Sequence, residues 1–124
     1  MKKDNEYLLE LTIPGLPLMM NELLRGNWTR KHGHARQWKL LITRYVYNQR
    51  PVEPLQSAML TLTRHSSKEP DYDGLVSSFK HVVDGLVVAK IIIDDTQSVI
   101  GIPKYKWEKC SPRKGHIKII VTNG

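Results

Sequence analysis

Residues 70–95 read PDYDGLVSSFKHVVDGLVVAKIIIDD, and the reading of this stretch decides the fold. From Leu75 to about Val88, the residues Leu75, Phe79, Val82, Val83 and Leu86 recur at spacings of four, three, one and three. That is one apolar face of a helix. Gly85 within it carries the usual cost of a glycine in a helix interior. Ile91-Ile92-Ile93 follows as a short buried run. Acids bracket the unit, with Asp71 and Asp73 before it and Asp94 and Asp95 after it.

Working outward, the flanking segments read as strands with one further helix. Tyr7 to Ile13 is rich in β-formers, and Pro14-Gly15-Leu16-Pro17 ends it. From Arg30 to about Asn48, Ala35, Trp38, Leu41, Ile42, Tyr45 and Val46 recur at helical spacing, with Lys31, Arg36, Lys39 and Arg44 around the polar side. Pro51 and Pro54 mark the loop after it. Ala58 to Arg64 is a second strand. Ser98 to Trp107 reads as a third, and Pro103 within it argues for an edge or a bulge. His116 to Thr122 is the last, and the Lys114-Gly115 turn before it suggests a hairpin of the final two strands. The order is β-α-β-α-β-β. This predicts an α+β fold: a single compact domain with a mixed sheet and two helices.

The 124 residues fit one domain spanning 1–124. Apolar residues make up 40%, enough for a modest core, so part of the apolar surface is expected against a second copy. The net charge of +7 favours a polyanionic partner, nucleic acid before an acidic membrane surface. The single cysteine, Cys110, excludes an internal disulfide and a cysteine-based zinc site. Met1 to Glu6 leads into a strand without a signal-peptide core, and no apolar run is long enough to span a bilayer. A cytoplasmic protein with no membrane partner is the expectation.

The acids carry the chemistry. Asp71 and Asp73, two residues apart on an extended segment, point to one side, and paired carboxylates repel unless a cation offsets them. The pair also reads as an N-cap arrangement, with Asp73 accepting backbone N–H groups. Asp94-Asp95 stands at the mouth of a buried segment, where adjacent residues face opposite ways and one of the two reaches a site. Lys80, seven residues after Asp73, lies two helical turns along, where its ammonium can act as a point charge on a phosphate.

Together these residues resemble a known signature. Asp71-x-Asp73-x-Leu75, then Phe79-Lys80, Asp84-Gly85-Leu86 and Ile92-Ile93-Asp94-Asp95 match in order the core of the RusA-family Holliday-junction resolvases. Asn21, Trp28 and the basic helix with Trp38-Lys39 resemble that family's N-terminal half. The chain departs from it at Gly74, where the family has asparagine, and in the lysine, one helical turn further from Asp73.

The resemblance implies an endodeoxyribonuclease that resolves four-way junctions by metal-dependent phosphodiester hydrolysis in recombination and repair. It implies Mg²⁺, with Mn²⁺ substituting, held by Asp71, Asp73 and Asp95. Lys80 would assist, and Asp94 is the reserve ligand. It also implies a two-fold homodimer matching the two strands to be cut, and a bacterial or phage-encoded source. The expected DNA contacts are drawn from Arg25, Arg30, Lys31, Arg36, Arg64, Lys68, Lys104 and Lys106. His32 and His34 are expected at the surface, Trp38 in the core, and Trp28 and Trp107 as candidates for stacking on bases. Two other readings stand beside this one. The first is a RusA-like protein that binds branched DNA without cleaving it. The second is a basic nucleic-acid or protein-binding module whose aspartates are only caps and turns.

Overall fold

The structure, a computed structural model, describes residues 6–19, 22 and 28–124, with the backbone alone at 28–31. Strand β1 (Leu8–Pro14) leads to helix α1 (Trp28–Tyr45) and strand β2 (Ala58–Ser66). Helices α2 (Tyr72–Ser78), α3 (Lys80–Val88) and the short α4 (Gln97–Ile100) follow. Strand β3 (Lys104–Lys109), a 3-10 turn (Pro112–Lys114) and strand β4 (His116–Asn123) complete the chain. This is an α+β architecture with a four-stranded mixed sheet in the order β1-β4-β2-β3.

The sheet corrects the expected hairpin. β4 is antiparallel to both β1 and β2, and lies between them. β3 pairs with β2 in parallel, with Leu62 opposite Tyr105 and Arg64 opposite Trp107. The reason lies in β4. Ile117, Ile119 and Val121 are each 0% exposed, a period-two stripe that favours a position between two strands. The edge falls to β3, whose residues are mostly exposed and charged. The strand expected over Ser98 to Trp107 is also shorter than read. Its first part is α4, and Gly101 at φ 59° turns the chain before β3 begins.

One face of the sheet packs against the helices. Leu9, Leu11 and Ile13 of β1 and Leu60 and Leu62 of β2 meet the apolar side of α1 and α3. The buried stripe of α1 is His34, Trp38, Ile42 and Val46. It is rotated from the expected face, leaving Tyr45 exposed and bringing in His34. The expected surface position of His34 is therefore corrected: it is buried, and its Nε2 accepts the Leu18 amide at 2.9 Å.

The helix read as one piece from Leu75 is two. α2 begins at Tyr72 and stops at Ser78, and α3 restarts at Lys80 after Phe79. The apolar face survives the break, because Leu75, Phe79, Val82, Val83 and Leu86 are all buried. Gly85 is where α1 and α3 come closest. A Cβ there would stand 2.9 Å from Ile42 Cγ1, so this glycine serves close helix packing.

α3 ends in a Schellman turn. Lys90 adopts φ 66°, its amide donates to Val87, and the Ile91 amide donates to Leu86. The reversed chain is held by a bridge between Ile92 and Leu55. Ile91 and Ile92 are buried, and the chain emerges at Asp94-Asp95 alongside α3. Among the described residues, no helix is long and apolar enough to cross a membrane.

Candidate functional site

The return of the chain along α3 brings two distant parts of the acidic motif together. Lys80 Nζ lies 3.2 Å from Asp84 Oδ1 and 3.9 Å from Asp95 Oδ2. Lys80 opens α3, so its side chain reaches forward to Asp84 at i+4, across to the loop after Ile93. Asp84 holds a second cation-forming group, with His81 Nδ1 3.6 Å from Oδ2. Burial lowers the pKa of His81 below its ordinary value, and the carboxylate of Asp84 opposes that shift. Asp94 Oδ1 accepts the Asp95 amide at 2.8 Å, and Asp94 lines a second hollow with Lys39, Asp84 and Asp95. Of the adjacent acids, Asp95 is the one that faces Lys80.

A hollow of about 260 Å³ lies beside this cluster, walled by Ser77, Lys80, Asp95 and Tyr105, with Phe79 and Val83 behind them. Asp73 is not among the residues that line this hollow, although it lies on α2 three and four residues before Val76 and Ser77, which do. Asp73 is exposed and lies in the first turn of α2, where a carboxylate is favoured by the helix dipole.

Asp71 is placed differently. It is the N-cap of α2, and its Oδ1 accepts the Gly74 amide at 3.0 Å. Two expectations change here. The cap is Asp71, where Asp73 was expected, and the pair does not share one extended segment. The cause is that α2 starts three residues earlier than its apolar periodicity, so alternation by two does not govern Asp73. Asp71 lines a separate cavity, of about 460 Å³, together with Arg64, Glu22, Lys68 and Glu69.

The acids are therefore dispersed. Lys80 meets Asp84 and Asp95 directly, Asp73 stands exposed in the first turn of α2, and Asp71 caps α2 on a different cavity. Among the described residues, no three His, Cys, Asp or Glu side chains come close enough to hold one metal ion. Hard carboxylate oxygens suit Mg²⁺ or Mn²⁺ by their chemistry. Their positions, as described, do not form a three-carboxylate cage.

The basic residues also divide. Arg36, Lys68, Lys104 and Lys106 are exposed. Arg64 is 6% exposed and donates through Nη1 to the Pro17 carbonyl at 2.7 Å, so its guanidinium is interior. Arg25, like Asn21, lies outside the described residues, as do the side chains of Trp28, Arg30 and Lys31. Trp38 is in the core as expected, while Trp107 is half-buried and donates to Ser66 Oγ at 2.9 Å.

Two positions in or beside these cavities carry signals the spacing already held. Asp84 entered only as part of a signature, although its spacing of four from Lys80 already marked an ion pair. Arg64, expected among the DNA contacts, is instead buried. Its place in the apolar alternation of β2, two residues beyond Leu62, was the available sign that it points inward.

In comparisons with known proteins, no protein-family model matches the chain, and no curated protein does either.

Proposed function

We propose that the chain is a structure-selective DNA endonuclease of the RusA type, which resolves four-way junctions by metal-dependent phosphodiester hydrolysis. The observation that carries this reading is the contact of Lys80 with Asp95 across fifteen residues of sequence, beside a hollow that both residues line. The net charge of +7 supports a polyanionic substrate.

In this reading, the Lys80 ammonium binds a phosphate oxygen and offsets developing negative charge. Asp84 aims Lys80, and Asp95 lines the hollow beside it. The metal dependence comes from the resemblance alone: Asp71, Asp73 and Asp95, as placed, would have to move together before they could hold one divalent ion. The exposed Arg36, Lys68, Lys104 and Lys106 hold the DNA arms in a salt-dependent manner. A homodimer would present two such sites to the two strands of a junction.

The test is incubation of the purified protein with synthetic four-way and linear DNA, with and without Mg²⁺ or Mn²⁺. Junction cleavage that needs the ion and is lost in Asp73→Asn is the expected result. The second reading, a junction-binding protein without cleavage, is favoured by the separation of Asp71 from Asp95 into two cavities. Tight junction binding with no cleavage in either ion would establish it.

A further inference from the structure

The cavity of about 460 Å³ lined by Arg64 has no part in the chemistry above, apart from Asp71 and Lys68. We propose that it receives an unstacked nucleobase of the bound strand, one bearing an exocyclic amino group: guanine, cytosine or adenine. The inference rests on the nucleic-acid reading above and adds a recognition pocket to it.

The first argument is the state of Arg64. A guanidinium carries five N–H donors. Arg64 is 6% exposed, and its one hydrogen bond among the described residues is to Pro17. Among the described residues, no carboxylate forms a salt bridge with it. The other nitrogens of Arg64 are not among the enclosed side-chain atoms that lack a partner, and Arg64 lines the cavity, where an acceptor can reach it. Burial lowers its pKa, and the charge of Glu22 only partly opposes this.

The second argument is the sign of the walls. Glu22, Glu69 and Asp71 line the cavity, against Arg64 and Lys68. A bare phosphate dianion would meet these carboxylates as well as Arg64. The fitting ligand accepts hydrogen bonds from Arg64 and donates them to the carboxylates. Glu22 Oε1 already accepts the Met19 amide at 2.8 Å, and Asp71 Oδ1 the Gly74 amide at 3.0 Å. Each keeps a second oxygen for a ligand. An acceptor edge for arginine and an amino group for a carboxylate are what these three bases present, and thymine lacks the amino group. The volume lies within the range of small-molecule sites, and enzymes acting on nucleic acids place unstacked bases in such pockets.

The third argument is location. Asp71 joins the cavity to the start of α2, whose other end lines the hollow beside Lys80 and Asp95. A base held over Arg64 would therefore belong to a strand that passes along α2 to the proposed site.

The test uses four fluorescent pentanucleotides, dT5 and dT5 with a central dG, dC or dA, titrated into the full chain in EDTA. The phosphates are the same in all four, so a difference reads the base. At least one amino-bearing probe should bind about tenfold tighter than dT5, and the Arg64 side-chain N–H resonance should move on binding. Glu69→Gln should reduce that preference, and Arg64→Lys should abolish it. If Arg64→Lys does not fold, the resonance and Glu69→Gln decide. Equal affinity for all four probes, an unmoved Arg64 resonance, or displacement by millimolar inorganic phosphate overturns the proposal. Because no metal is present, loss of the nuclease reading through absent cleavage leaves this result standing or falling separately.

Discussion

A Cβ on Gly74 would stand 2.5 Å from Asp71 Oδ1, so the carboxylate that caps α2 occupies the space a side chain at 74 would need. The position where the resembled family carries asparagine is thus tied to the capping role of Asp71. Gly74→Ala should destabilise the protein by about 1 kcal/mol, the usual worth of an N-cap, despite the better helix propensity of alanine. In an Asp71→Ala background, part of that penalty should vanish, because the clashing oxygen is gone while Met19 Sδ, 2.7 Å from the same point, remains. Urea unfolding of the two single variants and the double variant checks this. Additive effects would contradict the coupling.

Asp95 and Asp94 should differ in their effect on cleavage. Asp95 faces Lys80 at 3.9 Å, while Asp94 is occupied with a backbone amide. Asp95→Asn should slow junction cleavage by on the order of 100-fold, and Asp94→Asn far less. Asp84→Asn should fall between, since it removes the carboxylate that aims Lys80. Its effect on stability should stay under about 1 kcal/mol, as for a largely exposed ion pair. Single-turnover rates with a synthetic junction give the order, and an equal loss at 94 and 95 would contradict the assignment.

The parts of this molecule legible in sequence were those with strong periodicity. The stripe of Phe79, Val82, Val83 and Leu86 and the alternation of Ile117, Ile119 and Val121 each survive intact in the structure. What stayed hidden was set by pairing over long distance. Nothing local to Lys104–Lys109 distinguishes a parallel partner in β2 from an antiparallel one in β4. The break at Phe79 escaped for a related reason: the apolar face continues through it, so the pattern is unchanged while the helix stops. Within the candidate site, Lys80 and Asp95 were named from the signature. Their meeting depends on the Lys90 turn and the Leu55 bridge, which no spacing reveals.

Lys90 carries that turn at φ 66°, a conformation that strains any residue with a Cβ. Lys90→Gly should relieve it. The gain is offset in part by the extra backbone freedom of glycine in the unfolded chain, leaving a stabilisation of about 0.5 kcal/mol. Lys90→Val should instead destabilise the fold, because a β-branched side chain tolerates this region worst. Thermal unfolding of both variants tests the pair, and a Lys90→Val variant as stable as the parent would contradict a strained turn.

Stability should fall on mild acidification, and two histidines set the direction. His65 on β2 stacks on His116 of β4, with ring centroids 4.1 Å apart and planes within 11°. Burial lowers the pKa of His65 and His116 adds to this, while Glu108 at 3.9 Å opposes them and Lys118 lowers it further. His81 is lowered chiefly by burial between α1 and α3, with Asp84 opposing and Lys80 and Lys39 adding smaller contributions. Each folded pKa therefore lies below the unfolded value of about 6.5. As pH falls through about 6.5, the unfolded chain takes up protons first, and stability drops until the folded histidines are also charged. This window lies above the carboxylate range, so the acids stay ionised through most of it. Urea midpoints at pH 7.5, 6.5 and 5.5 should decline in that order, and His65→Gln combined with His81→Gln should flatten the decline. A midpoint that rises toward pH 5.5 would mean that these rings gain protons more readily folded than unfolded, against the burial and stacking seen here.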